Sequence, residues 1–162
     1  MFDPLIQLQR FTRDLLEIGD ERLILRGRIN EAQANNERDY IAIDSISRAA
    51  PTTVKEAYDY DNEIITYAQR YSQIFTFDFY GIGAYENASR FALLINSYIS
   101  QRLQMKYNIT VGSTSGITDV KQLTGQQYIN RLQVELTAQY EKEISQELYR
   151  IESAEIEVKN DK

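Results

Sequence analysis

Hydrophobic positions recur in two rhythms along this chain, and the rhythms predict its elements. Near the start, Leu5, Leu8, Phe11 or Thr12, Leu15 and Ile18 fall at helical spacing, which predicts a helix over residues 4–18. Asp3 can cap it, Pro4 suits a first position where no N–H is needed, and Gly19 supplies a stop. Gln7, Arg10, Asp14 and Glu17 form the polar face. Residues 22–28 read as a short strand, with Leu23 and Leu25 on one side and Arg22, Ile24, Arg26 and Arg28 on the other. Residues 30–38 are polar and Asn-rich, a loop. Tyr40 and Ala42 then alternate with Ile41 and Ile43, which predicts a strand over 40–47.

A long strand is predicted over 63–80. Tyr71, Phe75, Phe77 and Phe79 share one face, interrupted by Gln73, while Ile74, Thr76, Asp78 and Tyr80 share the other. Rings at that spacing belong in a core. The segment 48–62 lacks such a rhythm and reads as the least structured stretch, a long hairpin excursion serving as an interaction arm. After Gly81-Ile82-Gly83, the residues Ala88, Phe91, Ala92, Ile95, Tyr98, Ile99 and Leu103 predict one helix from 84 or 86 to 104.

Residues 107–126 are rich in Gly, Ser and Thr, with room for a short strand. Tyr128, Leu132, Val134, Leu136, Ala138 and Tyr140 then mark a half-buried strand of about 14 residues, roughly 45 Å long. Residues 144–158 fit helix and strand spacing alike, and a terminal strand is the preferred reading. Together the elements predict an α+β fold. Its sheet is mixed or antiparallel and twisted, with two main helices packed on one face, long strands and an extended hairpin. One domain is expected over 1–158, with 159–162 as a frayed tail.

Composition narrows the chemistry. A chain of 162 residues can bury roughly 70% of its unfolded surface in one core. It has no Cys and no His, which removes disulfides, thiol nucleophiles and zinc sites built on those ligands. The opening residues lack the basic region, apolar run and cleavage site of a signal peptide. The longest apolar run, Phe91 to Ile95, is far too short to span a membrane. A soluble, intracellular-type protein without cofactor, metal or membrane partner is expected. The net charge of -6 argues against broad duplex binding. Charge is uneven: residues 81–123 hold Arg90, Arg102, Lys106 and Lys121 against Glu86 and Asp119, a net of +2.

Candidate motifs dissolve on inspection. Strand, Gly81-Ile82-Gly83 and helix follow the order of a dinucleotide loop, but Glu86 stands where that fingerprint needs Gly or Ala. A carboxylate in a first helical turn complements the dipole instead. The loop Gly112 to Gly116 lacks a following Lys, and neither Ser113 nor Ser115 has a histidine to activate it. Asp59, Asp61 and Glu63 alternate but lack the spacing of a dedicated calcium loop. The chain therefore reads as non-enzymatic. Its 12 Tyr offer apolar rings with polar tips, suited to protein interfaces. The interface candidates are Arg22, Arg26, Arg28, Tyr58, Tyr60, Tyr67, Tyr80 and Tyr149.

The ordered whole resembles the tail terminator or neck-completion proteins of long-tailed bacteriophages. Three segments carry the likeness. They are the opening LIQLQRFTRDLL with Arg26 and Asp39 to Ile43; Gln73 to Gly81 running into Glu86-Asn87-Ala88, Phe91 and Ile95; and Gly125 to Tyr128 with Arg131, Val134 and Leu136. The resemblance implies a structural virion protein, assembled in the host cytoplasm. It would form a hexameric ring capping the tail tube at the tail–neck junction. Its implied partners are its own copies, the tail tube protein and a neck or head-completion protein, with DNA passing through unbound. The alternatives are another head–tail connector or tail-completion subunit, or a cytosolic module that binds an extended peptide at a sheet edge.

Overall fold

The computed structural model describes residues 2–25, 38–47, 49–120, 122–124 and 127–148. Helix α1 (Pro4–Leu16) begins as predicted: the Asp3 carboxylate accepts from the Leu5 N–H at 3.0 Å, and Pro4 opens the first turn. It ends earlier than Gly19 suggests. Glu17 adopts φ 54° and its N–H closes on the Arg13 carbonyl, so a non-glycine residue makes the left-handed stop. Ile18 is thereby turned against the core.

A short 3-10 turn (Asp20–Arg22) leads into β1 (Leu23–Leu25), which pairs in parallel with β2 (Tyr40–Ser45). β2 pairs antiparallel with the inner end of β4 (Ile64–Tyr80). The segment read as least structured is in fact strand β3 (Ala50–Asp59), paired with the outer end of β4. Pro51 is tolerated there because it lies in an edge strand, beside a register shift between Pro51 and Val54. The hairpin excursion is thus real, but ordered by backbone pairing.

The predicted single helix is two, α2 (Ala84–Leu94) and α3 (Tyr98–Tyr107). Ser97 divides them by capping the second, its hydroxyl accepting from the Ser100 N–H at 3.2 Å. The break turns Tyr98 and Ile99 outward, although their spacing had placed them on the apolar stripe. Next come β5 (Ile109–Thr114), β6 (Thr118–Asp119), β7 (Gln122–Thr124) and β8 (Gln127–Ile129). β9 (Arg131–Glu147) starts after Asn130, so Tyr128 belongs to the separate β7–β8 pair. β9 continues through Ile144 to Glu147, a strand over the first part of the 144–158 stretch. The remainder of that stretch and the 159–162 tail lie outside the described residues.

The main sheet runs β1-β2-β4-β9-β5, with β3 beside β4 and β6 beside β9. All three helices pack on one face. There Phe75, Phe77 and Phe79 of β4 and Leu132, Val134, Leu136 and Ala138 of β9 meet Leu8, Phe11, Ala88, Phe91 and Ile95. Gln73 interrupts that face without loss, because its amide donates to the Ser47 carbonyl and accepts from the Tyr140 hydroxyl, both at 2.9 Å. On the opposite face Tyr40 stacks on Tyr80 at 4.6 Å, and burial pushes both phenols up to about 12.

Helices α1 and α3 are tied by Asp14. Its carboxylate receives Lys106 and Arg13, each at 2.8 Å, and the Tyr107 hydroxyl. Burial alone would push this carboxyl up, but hydrogen bonds from Lys106, Tyr107 and Arg13 hold it well below the carboxylate range. The unfolded chain therefore takes up this proton first, near pH 3.9. The stabilisation is complete above that value and is lost as pH falls toward the folded value. Asp14→Asn should lower the melting temperature at neutral pH and flatten the acid decline below about pH 4. Parallel declines in both proteins would refute this.

Candidate interaction surface

β4 and β9 pair without interruption from Ile64↔Glu147 to Tyr80↔Arg131, 17 residues each. Such strands reach roughly 55 Å, well beyond a usual strand of about five or six residues. The helices cover only the inner half. The outer half, with β3 along one side, projects as a three-stranded arm. Side chains alternate across it, so its two faces differ. Register places Val54 and Tyr58 of β3, Ile65, Tyr67 and Tyr71 of β4 and Ile144 of β9 on the continuation of the core face. Glu56 stands opposite Tyr67 on that face. Ile144 is 71% exposed and Val54 47%.

At the base of this face the rings of Phe2, Tyr140 and Tyr71 form a stack, with centroids 5.6 and 5.7 Å apart. Lys142 lies over Tyr71 at 5.3 Å. Above the stack runs a groove of about 500 Å³, whose lining includes Phe2, Val54, Tyr67, Gln69, Tyr71 and Ile144. The reverse face is polar, with Thr66 and Ser145 hydroxyls 3.0 Å apart. At the tip, Tyr58 and Tyr60 meet edge to face at 4.4 Å, and Glu63 takes φ 54° to close the turn.

The arm is acidic. Over 50–72 and 141–148, Lys55, Arg70 and Lys142 stand against Glu56, Asp59, Asp61, Glu63, Glu141, Glu143 and Glu147, a net of -4. The tip acids make no calcium loop. Asp59 accepts from the Asn62 side chain at 2.8 Å and from the backbone N–H groups of Asp61 and Asn62, which holds its carboxyl below the usual range. Among the described residues no acidic cluster could hold a metal ion.

The glycine turn is likewise self-contained. Gly81 has φ 101°, and the Asp39 carboxylate fills the turn by accepting from the Gly83 N–H at 2.9 Å. An acid of the chain itself sits where a phosphate would have to bind. Ser115 is occupied too: its hydroxyl accepts from the Glu135 N–H at 2.9 Å, joining the loop to β9.

A family model described as phage neck terminator protein matches residues 6–162. The chain belongs to that family. It is a structural virion protein of the tail–neck junction of a tailed phage and not an enzyme. No curated protein matches it. Among the described residues of this neck terminator, no helix is long and apolar enough to cross a membrane.

The neck terminator distributes the interface candidates unevenly. Tyr58, Tyr60 and Tyr67 come together on the arm, with Tyr60 76% exposed. Arg22 is exposed in the 3-10 turn near β1, while Arg26, Arg28 and Tyr149 lie outside the described residues. Tyr80 is buried against Tyr40 on the reverse of the sheet, away from the arm. Sequence reasoning missed Val54, Ile65, Tyr71 and Ile144 as surface-forming residues. The alternation of Val54, Glu56 and Tyr58 was a usable signal, obscured by the acids and Pro51 around it.

A second uncovered surface lies on α3. Tyr98 is 72% and Met105 76% exposed, with Ile99 and Arg102 exposed beside them.

Proposed function

We propose that this neck terminator closes into a hexameric ring on the head-side end of the tail tube. One face of the ring meets the tail tube protein and the other a neck or head-completion protein. Assembly takes place in the host cytoplasm, and DNA passes through without specific binding. The arm carries this reading. Its aromatic and aliphatic face leaves the helical cover and needs another chain to bury it. Each large apolar side chain gains roughly 1.5–3 kcal/mol on full burial, so several half-covered ones supply a substantial drive to associate. The acidic balance supports the passage of DNA, because like charge weakens backbone contact. The interface candidates Arg22, Arg26 and Arg28 would form local basic contacts along that route.

Native mass spectrometry of concentrated protein and negative-stain imaging with purified tail tubes test the proposal. Rings on one end of each tube are the expected result. A protein that stays monomeric and leaves tube ends bare would refute it.

A further inference from the structure

We propose that the arm of one subunit receives helix α3 of the next copy, so that these two surfaces form the repeating contact of the ring. The inference rests on the ring reading above and assigns its interface. Three observations carry it. The first is shape. The arm offers a groove of about 500 Å³ floored by rings, with Ile144 and Val54 on its walls. On α3, Tyr98, Arg102 and Met105 stand at positions i, i+4 and i+7, one stripe with Ile99 alongside. An amphipathic helix enters an apolar groove through anchors at that spacing.

The second is charge. α3 exposes Arg102 and contains no acid, and register puts one acid, Glu56, on the groove side of the arm, with Lys142 at its base over the rings; Glu141 and Glu147 alternate to the reverse face. Glu56, on the apolar side of the arm, is the natural counterpart for Arg102. Pairing α3 with α3 would set Arg102 against its own copy, and like charges across an interface are disfavoured. The third is symmetry. Arm and α3 are different surfaces of one chain, so their contact is head-to-tail and repeats until rotation closes it. A self-complementary contact would stop at a dimer.

Two exposed substitutions separate the surfaces. Ile144→Arg disables the arm and Met105→Glu disables α3, with circular dichroism melts confirming that each still folds. Each variant alone should be monomeric by native mass spectrometry under conditions where wild type forms rings. Mixed, they should give one-to-one dimers and nothing larger, because only one intact arm and one intact α3 remain per pair. Separately, Glu56→Arg and Arg102→Glu should each weaken assembly about tenfold, and the double reversal should restore it.

Wild-type rings with both variants assembling normally would overturn this contact and leave the ring standing. Loss of rings in the arm variant alone, with Met105→Glu unaffected, would mean that the arm binds something other than α3. A mixture that stays monomeric would equally refute the pairing. Wild type that never forms rings, even with tail tubes, would remove both proposals.

Discussion

Phe91→Ala should destabilise the fold by about 3–5 kcal/mol. Phe91 is fully buried, and its ring lies 4.8 Å from Phe77 and 5.6 Å from Phe79. It is the largest side chain with which α2 grips the sheet, beside Ala84 and Ala88. The phenylalanines beneath lie at the inner end of β4, held between β2 on one side and β9 on the other, so they cannot move far to fill the void. The cavity term should therefore be retained almost whole. A domain with a total stability of about 5–15 kcal/mol would lose a large share of it. Urea unfolding should show a lower midpoint with an unchanged slope. Leu93→Ala, on the exposed side of the same helix, should stay within about 0.5 kcal/mol of wild type. Equal losses for the two variants would contradict the assigned packing of α2.

Arg131→Met comes second, with an expected cost of about 3 kcal/mol, the lower end for breaking a buried ion pair. Asp78 is buried at 9% exposure, and Arg131 grips it through two bonds of 3.2 and 3.1 Å. The guanidinium also lies 5.8 Å from the centre of the Tyr80 ring. Removing it leaves the Asp78 carboxylate beside the Tyr40–Tyr80 stack with only 13% of its side chain exposed to water. The cost should stem from that stranded charge and not from a lost attraction. Asp78→Leu combined with Arg131→Met should accordingly recover to within about 1 kcal/mol of wild type. If the double variant is as unstable as the sum of the singles, the two side chains are uncoupled and the stranded-charge account fails.

This ion pair also illustrates how far the residues could be read unaided. Asp78 and Arg131 belong to two of the three segments whose order together carries the resemblance to phage neck proteins. Their alternation placed both on the reverse of their strands. Only the ladder brings them together, since its register is set by the whole length of β4 against β9.

Elsewhere the division follows burial. Phe75, Phe77 and Phe79, and Leu132 through Tyr140, advertise their inner face because water would penalise any other phase. The start of α1 was equally readable, since Asp3 and Pro4 act within a few residues of themselves. The break at Ser97 was not. A serine inside an apolar periodicity becomes a cap only when the chain beyond it gains by turning, here by bringing Tyr107 to Asp14. The stop at Glu17 has the same character.

β3 is the plainest case. All ten of its residues are exposed, so no hydrophobic alternation was required of them and little was present. Its strand state comes from hydrogen bonding to the outer half of β4, along the side that β9 does not occupy. The sequence by itself determined the α+β class, the two long strands and the buried face of each, because one-sided burial writes a period into the residues. Tertiary structure alone decided that the predicted excursion is a paired strand, how much of the arm's apolar face stays uncovered, and the separate exposed stripe on α3. The last two depend on where the helical cover ends, and no local pattern records that.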